Sequence, residues 1–465
     1  MSPRGARRRG RAVAAGAACA VAAGLACHAG PSPLGAATRA PAGAPPATPG
    51  PARATRAVPS GGRVVRVGLA FGARGAEVTA TGPWVLADAQ GAVLAHAAAG
   101  SAWAVEARGG RVRATGAAGA ATPWIDGPLV ARPERADDGF VRYAGRHYRG
   151  ALWLHAAGGG VTVVNRVPAE EYLRGVLPLE LPTERPGDLP AVEAQAVAAR
   201  SYLYTRVAEF MPRAAAVARA AAPYDLRATV EDQLYGGVGA EQPTADRALL
   251  ATVGLVLRYD GAVVSAPYFS ACGGSTADPA EVWGAERAPY LGRVSDSVPG
   301  EDRAYCDIAP RAHWERAWDA DALDAVLARY LRRYAAPGDA RGGALGVVRA
   351  WQAGERTGSG RTASVAVTTD AGRFVLRGNA VRFVMRSPLG RESAPGTDIL
   401  PSTYFSAAVT SGDDGRVLRL VLRGRGNGHG VGMCQWGAIG RARAGQDFRR
   451  ILQTYYPGTT VDAVE

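Results

Sequence analysis

The stretch Gly424-Arg425-Gly426-Asn427-Gly428-His429-Gly430-Val431-Gly432-Met433-Cys434-Gln435-Trp436-Gly437-Ala438 puts glycine at every second position from 424 to 432, then changes abruptly to Cys, Gln and Trp. Glycine at that spacing lets the backbone take positive φ and come close to a ligand or another strand. A segment with so little side chain to bury is poor core. Two readings follow: a shaped loop that presents His429, Cys434 and Gln435, or a glycine-rich turn that joins a strand to a helix.

On either side the pattern is mixed. Residues 417–422 alternate as a strand before the loop, and 448–455 form a short helix closed by Pro457-Gly458. Residues 363–368 and 373–376 read as strands. The segment 314–334 carries Leu323, Val326, Leu327, Tyr330 and Leu331 at helical spacing, which predicts an amphipathic helical insert at about 313–336. Asp188 and Pro190 open another helix, with Val192, Ala196, Ala199 and Leu203 on one stripe. That helix also holds Gln195, Arg200 and Tyr202, which either line a site or face solvent. Pro168 begins a short helix after strands at 152–154 and 161–164. Short alternating runs between 62 and 149 describe a β-rich accessory region. The predicted fold class is α+β, with a main domain over 150–460.

The chain has 465 residues and a formal charge of +13, carried by arginine without lysine. Its length suits two or three packed units. Arginine in an alanine- and glycine-rich background reads as compositional bias, so no nucleic-acid partner is expected, although a positive balance suits an anionic polymer such as a cell wall. Arg4, Arg7, Arg8, Arg9 and Arg11 precede an uncharged run over 12–26. This is a secretory signal pattern over 1–27, too short to span a bilayer comfortably. Gly24-Leu25-Ala26-Cys27 fits a lipoprotein-type signal, with Cys27 as the lipidated residue. Residues 28–61 are rich in Pro, Ala and Gly and read as a tether. The chain is therefore expected to be exported, periplasmic or at the cell surface, meeting a membrane only through its N-terminal anchor. Export favours a disulfide, and Cys272–Cys306 is the expected pair with Cys434 free. The alternative gathers all three cysteines and His429 around a metal.

Several blocks in order resemble the stage II sporulation protein D family, also called the amidase-enhancer domain. They are Val164-Asn165-Arg166-Val167-Pro168-Ala169-Glu170-Glu171-Tyr172, Leu179-Glu180-Leu181-Pro182, Ala194-Gln195-Ala196-Val197-Ala198-Ala199-Arg200-Ser201-Tyr202, Gln233-Leu234-Tyr235-Gly236-Gly237, Tyr268-Phe269-Ser270-Ala271-Cys272-Gly273-Gly274-Ser275-Thr276, the loop around His429, and Ile451-Leu452-Gln453-Thr454-Tyr455-Tyr456-Pro457-Gly458. The resemblance covers roughly 150–460. It implies mixed strands and helices around a glycan-binding cleft, with peptidoglycan glycan strands as substrate and an N-acetylmuramoyl-L-alanine amidase as partner. It further implies a lytic transglycosylase acting on amidase-stripped strands, or a non-catalytic module that enhances the amidase. Glu180 matches the family's catalytic glutamate, with leucine in place of the usual methionine after it.

The residues around Glu180 give that assignment a physical basis. Leu177, Pro178, Leu179, Leu181 and Pro182 surround it with apolar groups. Desolvation raises a carboxyl pKa and suits it to protonate a glycosidic oxygen. The resemblance also implies substrate-binding roles for Gln195, Arg200, Tyr202, Gln233 and Tyr235, and for a turn of backbone amides at Ser270, Gly273 and Gly274. His429 and Gln435 either bind sugar or pin the glycine loop. Some relatives hold zinc through cysteine and histidine near the segment 268–276. Here Cys272 has no histidine close in sequence, and Arg227 and Asp232 stand where some relatives have cysteines. No metal and no cofactor are therefore expected.

Overall fold

The computed structural model describes residues 62–182, 185–207, 209, 211–335, 342–388 and 398–464. The signal segment, Cys27 and the tether fall outside the described residues. Alternating apolar residues between 64 and 168 build two sheets. The larger has the spatial order Leu226–Arg227, Val64–Ala73, Gly160–Pro168, Ala151–Ala157, Leu129–Pro133, Trp84–Ala87 and Val93–Ala97. Its neighbours are antiparallel except the first two, which are parallel. The smaller runs Arg146–Tyr148, Val141–Tyr143, Ala76–Ala80, Trp103–Arg108, Arg111–Thr115 and Ile125–Asp126. The period of two is visible in burial: Val65 and Val67, Val161 and Val163, and Val112 and Ala114 all point into one core shared by both sheets.

The expected boundary at 149/150 lies inside this sheet. Ala151–Ala157 pairs with Leu129–Pro133, and Gly160–Pro168 pairs with Val64–Ala73. The accessory region and the start of the following domain thus share one hydrophobic core. Pairing between residues about a hundred positions apart leaves no local mark in the sequence, whereas the switch from strand to helix does.

Helices cover this core. Leu189–Tyr204 is central, and Pro243–Ala251, Gln435–Arg443, Phe448–Tyr455 and the strand Leu255–Tyr259 pack on it. Its alanines at 191, 194, 196, 198 and 199 are buried and let neighbours approach closely, which explains why apolar residues fill more than one stripe.

The insert has a core of its own. His313–Asp319, Val417–Arg425 and Phe405–Ser411 form one three-stranded sheet, and Val348–Ala353, Ser364–Thr369 and Gly372–Arg377 form another. They close with the helix Ala320–Tyr334 around Trp318, Leu323, Leu327, Val367 and Leu420. The helix expected from 314 starts later: Trp314, Arg316 and Trp318 follow strand spacing, and His313–Asp319 pairs with Val417–Arg425. Asp319 then caps the helix by accepting from the Ala322 N–H at 2.8 Å. The insert therefore extends from 313 to 425 and is only partly helical.

Candidate active site

Glu180 ends the short helical turn Leu177–Glu180, where Pro178 is compatible with the first turn. Leu177 and Leu181 are buried beside it, Leu179 is exposed, and Glu180 itself is partly accessible. The Leu234 backbone N–H donates to Glu180 Oε1 at 3.0 Å. Burial pushes the carboxyl pKa up to about 7, against hydrogen bonds from the Leu234 amide and the Gln435 side chain that pull it down. No charged neighbour enters that balance.

Behind the carboxyl runs a buried polar network. The Tyr172 hydroxyl donates to Gln233 Oε1 at 3.1 Å, and Gln233 Nε2 donates to the Ala199 carbonyl at 3.2 Å and the Tyr268 hydroxyl at 2.9 Å. Tyr172 and Tyr268 both feel the field of Glu180. Having accepted from Gln233, the Tyr268 hydroxyl keeps its own proton to donate. Gln435 Nε2 reaches Gln195 Oε1 at 3.4 Å, and Gln195 Nε2 is buried with no hydrogen-bond partner among the described residues. Glu180, Gln195, Gln233 and Gln435 thus come together from four distant segments. Tyr172, Leu234 and Tyr268 join them. Each lies inside one of the blocks that carry the family resemblance, but none has a local sequence signal that separates it from its neighbours.

Other expected site residues do structural work. Arg200 is fully buried; its Nε and Nη2 donate to Glu170 at 2.6 and 2.7 Å, and Nη1 to the Leu255 carbonyl at 2.9 Å. A guanidinium so enclosed does not face solvent, where a sugar would bind. Tyr235 is buried, and its hydroxyl donates to Asn165 Oδ1 at 3.0 Å. The Tyr202 hydroxyl donates to Asp232 Oδ1 at 3.2 Å, with Arg206 over its ring. The Ser270 carbonyl accepts from the Trp436 N–H at 3.0 Å. Gly273 and Gly274 take φ of +71° and +110°, and the Gly274 amide donates to Cys272 Sγ at 3.3 Å, so that amide is engaged by sulfur. His429 pins the glycine loop. Its Nδ1 accepts from the Val431 N–H at 3.1 Å, so Nε2 carries the proton and donates to the Tyr268 carbonyl at 3.0 Å. A cavity lined by His313, Trp314, Tyr404 and Arg425 lies on the insert, and its lining does not include Glu180.

Positions 227 and 232, where some relatives have cysteines, hold Arg227 and Asp232 and offer no sulfur to the zinc that the resemblance implies. The Arg227 backbone N–H donates to Asp232 Oδ2 at 2.9 Å and the Arg227 guanidinium pairs with Glu231, so both side chains are engaged with their neighbours. The expected disulfide is also absent among the described residues: Cys272, Cys306 and Cys434 are free, and the first two sulfurs stand 3.4 Å apart against about 2.05 Å in a bonded pair. His429 is not with them; Asp296 is, in a loop that no sequence signal had marked.

Comparison with known proteins covers both cores. The family model described as Stage II sporulation protein (SpoIID) matches residues 157–259, and one described as Domain of unknown function (DUF8618) matches 307–432, close to the insert. An uncharacterised protein of Brachyspira hyodysenteriae is 30% identical over 325 residues, covering 70% of this chain and 74% of that one. The amidase enhancer of Bacillus subtilis is 29% identical over 62% of this chain, which spans only 40% of that relative's length. The stage II sporulation protein D of Bacillus subtilis is 26% identical over 65% of this chain and 76% of its own.

Proposed function

The chain belongs to the stage II sporulation protein D and amidase-enhancer family, and from that premise we propose that it remodels peptidoglycan as a lytic transglycosylase with Glu180 as its single acid and base. The observation that carries this reading is the Glu180 carboxyl, whose pKa lies near 7 and whose Oε1 accepts the Leu234 amide. A carboxyl so placed is protonated often enough to act as an acid and is still basic once deprotonated.

In the first step the bond from C1 to the glycosidic oxygen breaks. Its electron pair stays on the leaving oxygen, which takes the Glu180 proton, and positive charge spreads over the sugar ring. The new carboxylate keeps hydrogen bonds from Leu234 and Gln435. In the second step the sugar's own 6-hydroxyl oxygen bonds to C1 and returns its proton to Glu180. A 1,6-anhydro end results, water is not consumed and no second carboxylate is needed. Gln195 Nε2, beside Gln435 and without a hydrogen-bond partner among the described residues, is a donor available to a sugar hydroxyl or acetamido oxygen once the glycan parts the groups that enclose it.

A second reading is a non-catalytic glycan-binding module that enhances an N-acetylmuramoyl-L-alanine amidase. Its support is the similarity to the amidase enhancer of Bacillus subtilis. Both readings place the protein outside the cytoplasm, tethered or free. Among the described residues no helix is long and apolar enough to cross a membrane. Sedimentation with insoluble peptidoglycan, followed by analysis of released sugars, separates the two. Transglycosylase action predicts binding with soluble anhydro-sugar products; binding without products, together with a faster partner amidase, supports the enhancer.

A further inference from the structure

Cys306 and Cys434 lie 34 and 162 residues from Cys272 in the chain, yet their sulfurs and an Asp296 oxygen all fall within 4.8 Å of one another, fully buried. We infer that Cys272, Cys306, Cys434 and Asp296 form a closed, structural site for a zinc-type divalent cation, which fixes the loop behind Glu180. The inference stands whichever proposed function holds. It uses none of the positions near Arg227 and Asp232.

Four observations carry it. A tetrahedral zinc with Zn–S bonds of about 2.3 Å spaces its sulfurs about 3.8 Å apart, close to the observed 3.4 Å between Cys272 and Cys306. Backbone amides aim at the sulfurs: Cys272 N and Gly437 N donate to Cys434 Sγ at 3.1 and 3.2 Å, and Gly274 N donates to Cys272 Sγ at 3.3 Å. Such donors stabilise thiolates far more than thiols. Asp296 is oriented from behind. Its Oδ1 accepts Arg441 Nε and Nη2 at 3.1 and 3.0 Å and the Tyr455 hydroxyl at 2.7 Å, while Oδ2 turns to Cys272 Sγ at 3.3 Å. Outer partners of this kind hold a ligating carboxylate in place. Finally, buried positive charge borders the cluster. Arg441 contacts Asp296, and Arg361, which Glu281 also faces, donates to the Cys272 carbonyl at 3.1 Å. Three thiolates and a carboxylate around a divalent ion leave a net negative site that two guanidiniums offset. Neutral thiols leave those guanidiniums with far less to balance.

The ligand set selects the ion. Three thiolates favour zinc over calcium or magnesium, and four protein ligands leave no open position, so the site is structural. Cys434 directly precedes Gln435, and Met433–Cys434 pairs in parallel with Tyr268–Phe269. The ion therefore sets where Gln435 and Tyr268 meet Glu180.

The test uses the exported protein recovered from cells. Metal analysis is expected to find zinc in stoichiometric amount. Replacement by cobalt(II) is expected to give thiolate-to-cobalt charge-transfer absorption with the intense visible bands of a tetrahedral centre. Cys306→Ser and Asp296→Asn should each weaken cobalt binding at least tenfold. Because these variants could unfold, the wild-type spectrum decides on its own. A wild-type protein that is folded by circular dichroism yet binds neither metal overturns the inference, as does a Cys272–Cys306 disulfide found by peptide mapping without reduction.

Discussion

The backbone amide of Leu234 donates to Glu180 Oε1 across 3.0 Å, joining residues 54 positions apart. It lowers the Glu180 pKa while burial raises it, and burial wins, giving a value of about 7. If protonated Glu180 starts the reaction, turnover on glycan falls as pH rises through about 7. The folded state also holds this proton more tightly than the unfolded chain, so the carboxyl's contribution to stability declines from pH 4.5 to about 7. Glu180→Gln is expected to be more stable than wild type above pH 7, by about 3 kcal/mol. Denaturant midpoints at pH 5 and pH 8 check this; equal gaps at both pH values would contradict it.

Gln435 reaches both Glu180 and Gln195. Removing its amide in Gln435→Leu takes away a bond to the carboxylate, so the Glu180 pKa rises. The alkaline limb of the pH–rate profile should move upward, with the maximal rate lower by about tenfold. An unchanged limb would mean that Gln435 does not act on Glu180.

Arg200 and Glu170 form a buried bidentate pair. Arg200→Met leaves the Glu170 carboxylate without its partner and is expected to cost about 3–5 kcal/mol. Thermal unfolding reads that loss directly. A variant that keeps wild-type stability but loses glycan binding would return Arg200 to the cleft.

His429 is held neutral: burial pushes its pKa down to about 3, assisted by Arg382 and Arg361 and opposed by its bond to the Tyr268 carbonyl. The unfolded chain takes up this proton near pH 6.5, so native stability drops as pH falls from 6.5 towards 3. The slope is up to about 1.4 kcal/mol per pH unit. His429→Phe should flatten that part of the profile and lower stability at pH 8 by about 1–2 kcal/mol through two lost backbone bonds. A variant with an unaltered acid slope would refute the neutral, pinning role.

Much of the fold is legible in the sequence because local patterning and tertiary packing agree. Val65 and Val67 alternate and are buried, and Leu323, Val326 and Leu327 repeat at helical spacing and are buried. The sequence misleads where the deciding contact is distant. The pairing of Val64–Ala73 with Gly160–Pro168 erases the expected boundary near 150, and the pairing of His313–Asp319 with Val417–Arg425 turns an expected helix start into a strand. In the site, the apolar flank of Glu180 is written next to it in the chain. The opposite is true of Arg200 and Tyr235, whose burial against Glu170 and Asn165 depends on partners 30 and 70 residues away. Asp296 is an unremarked loop aspartate until folding sets it against three sulfurs.

Cleavage of glycan by Glu180 leaves a chemical mark on the product. Amidase-stripped peptidoglycan digested with the wild-type chain and with Glu180→Gln, read by mass spectrometry for 1,6-anhydro ends, tests it most directly. Catalysis by Glu180 requires anhydro products from the wild type, none from the variant, and equal glycan binding by both. Absence of anhydro products from a wild-type chain that still binds the glycan, or equal amounts from both chains, would contradict it.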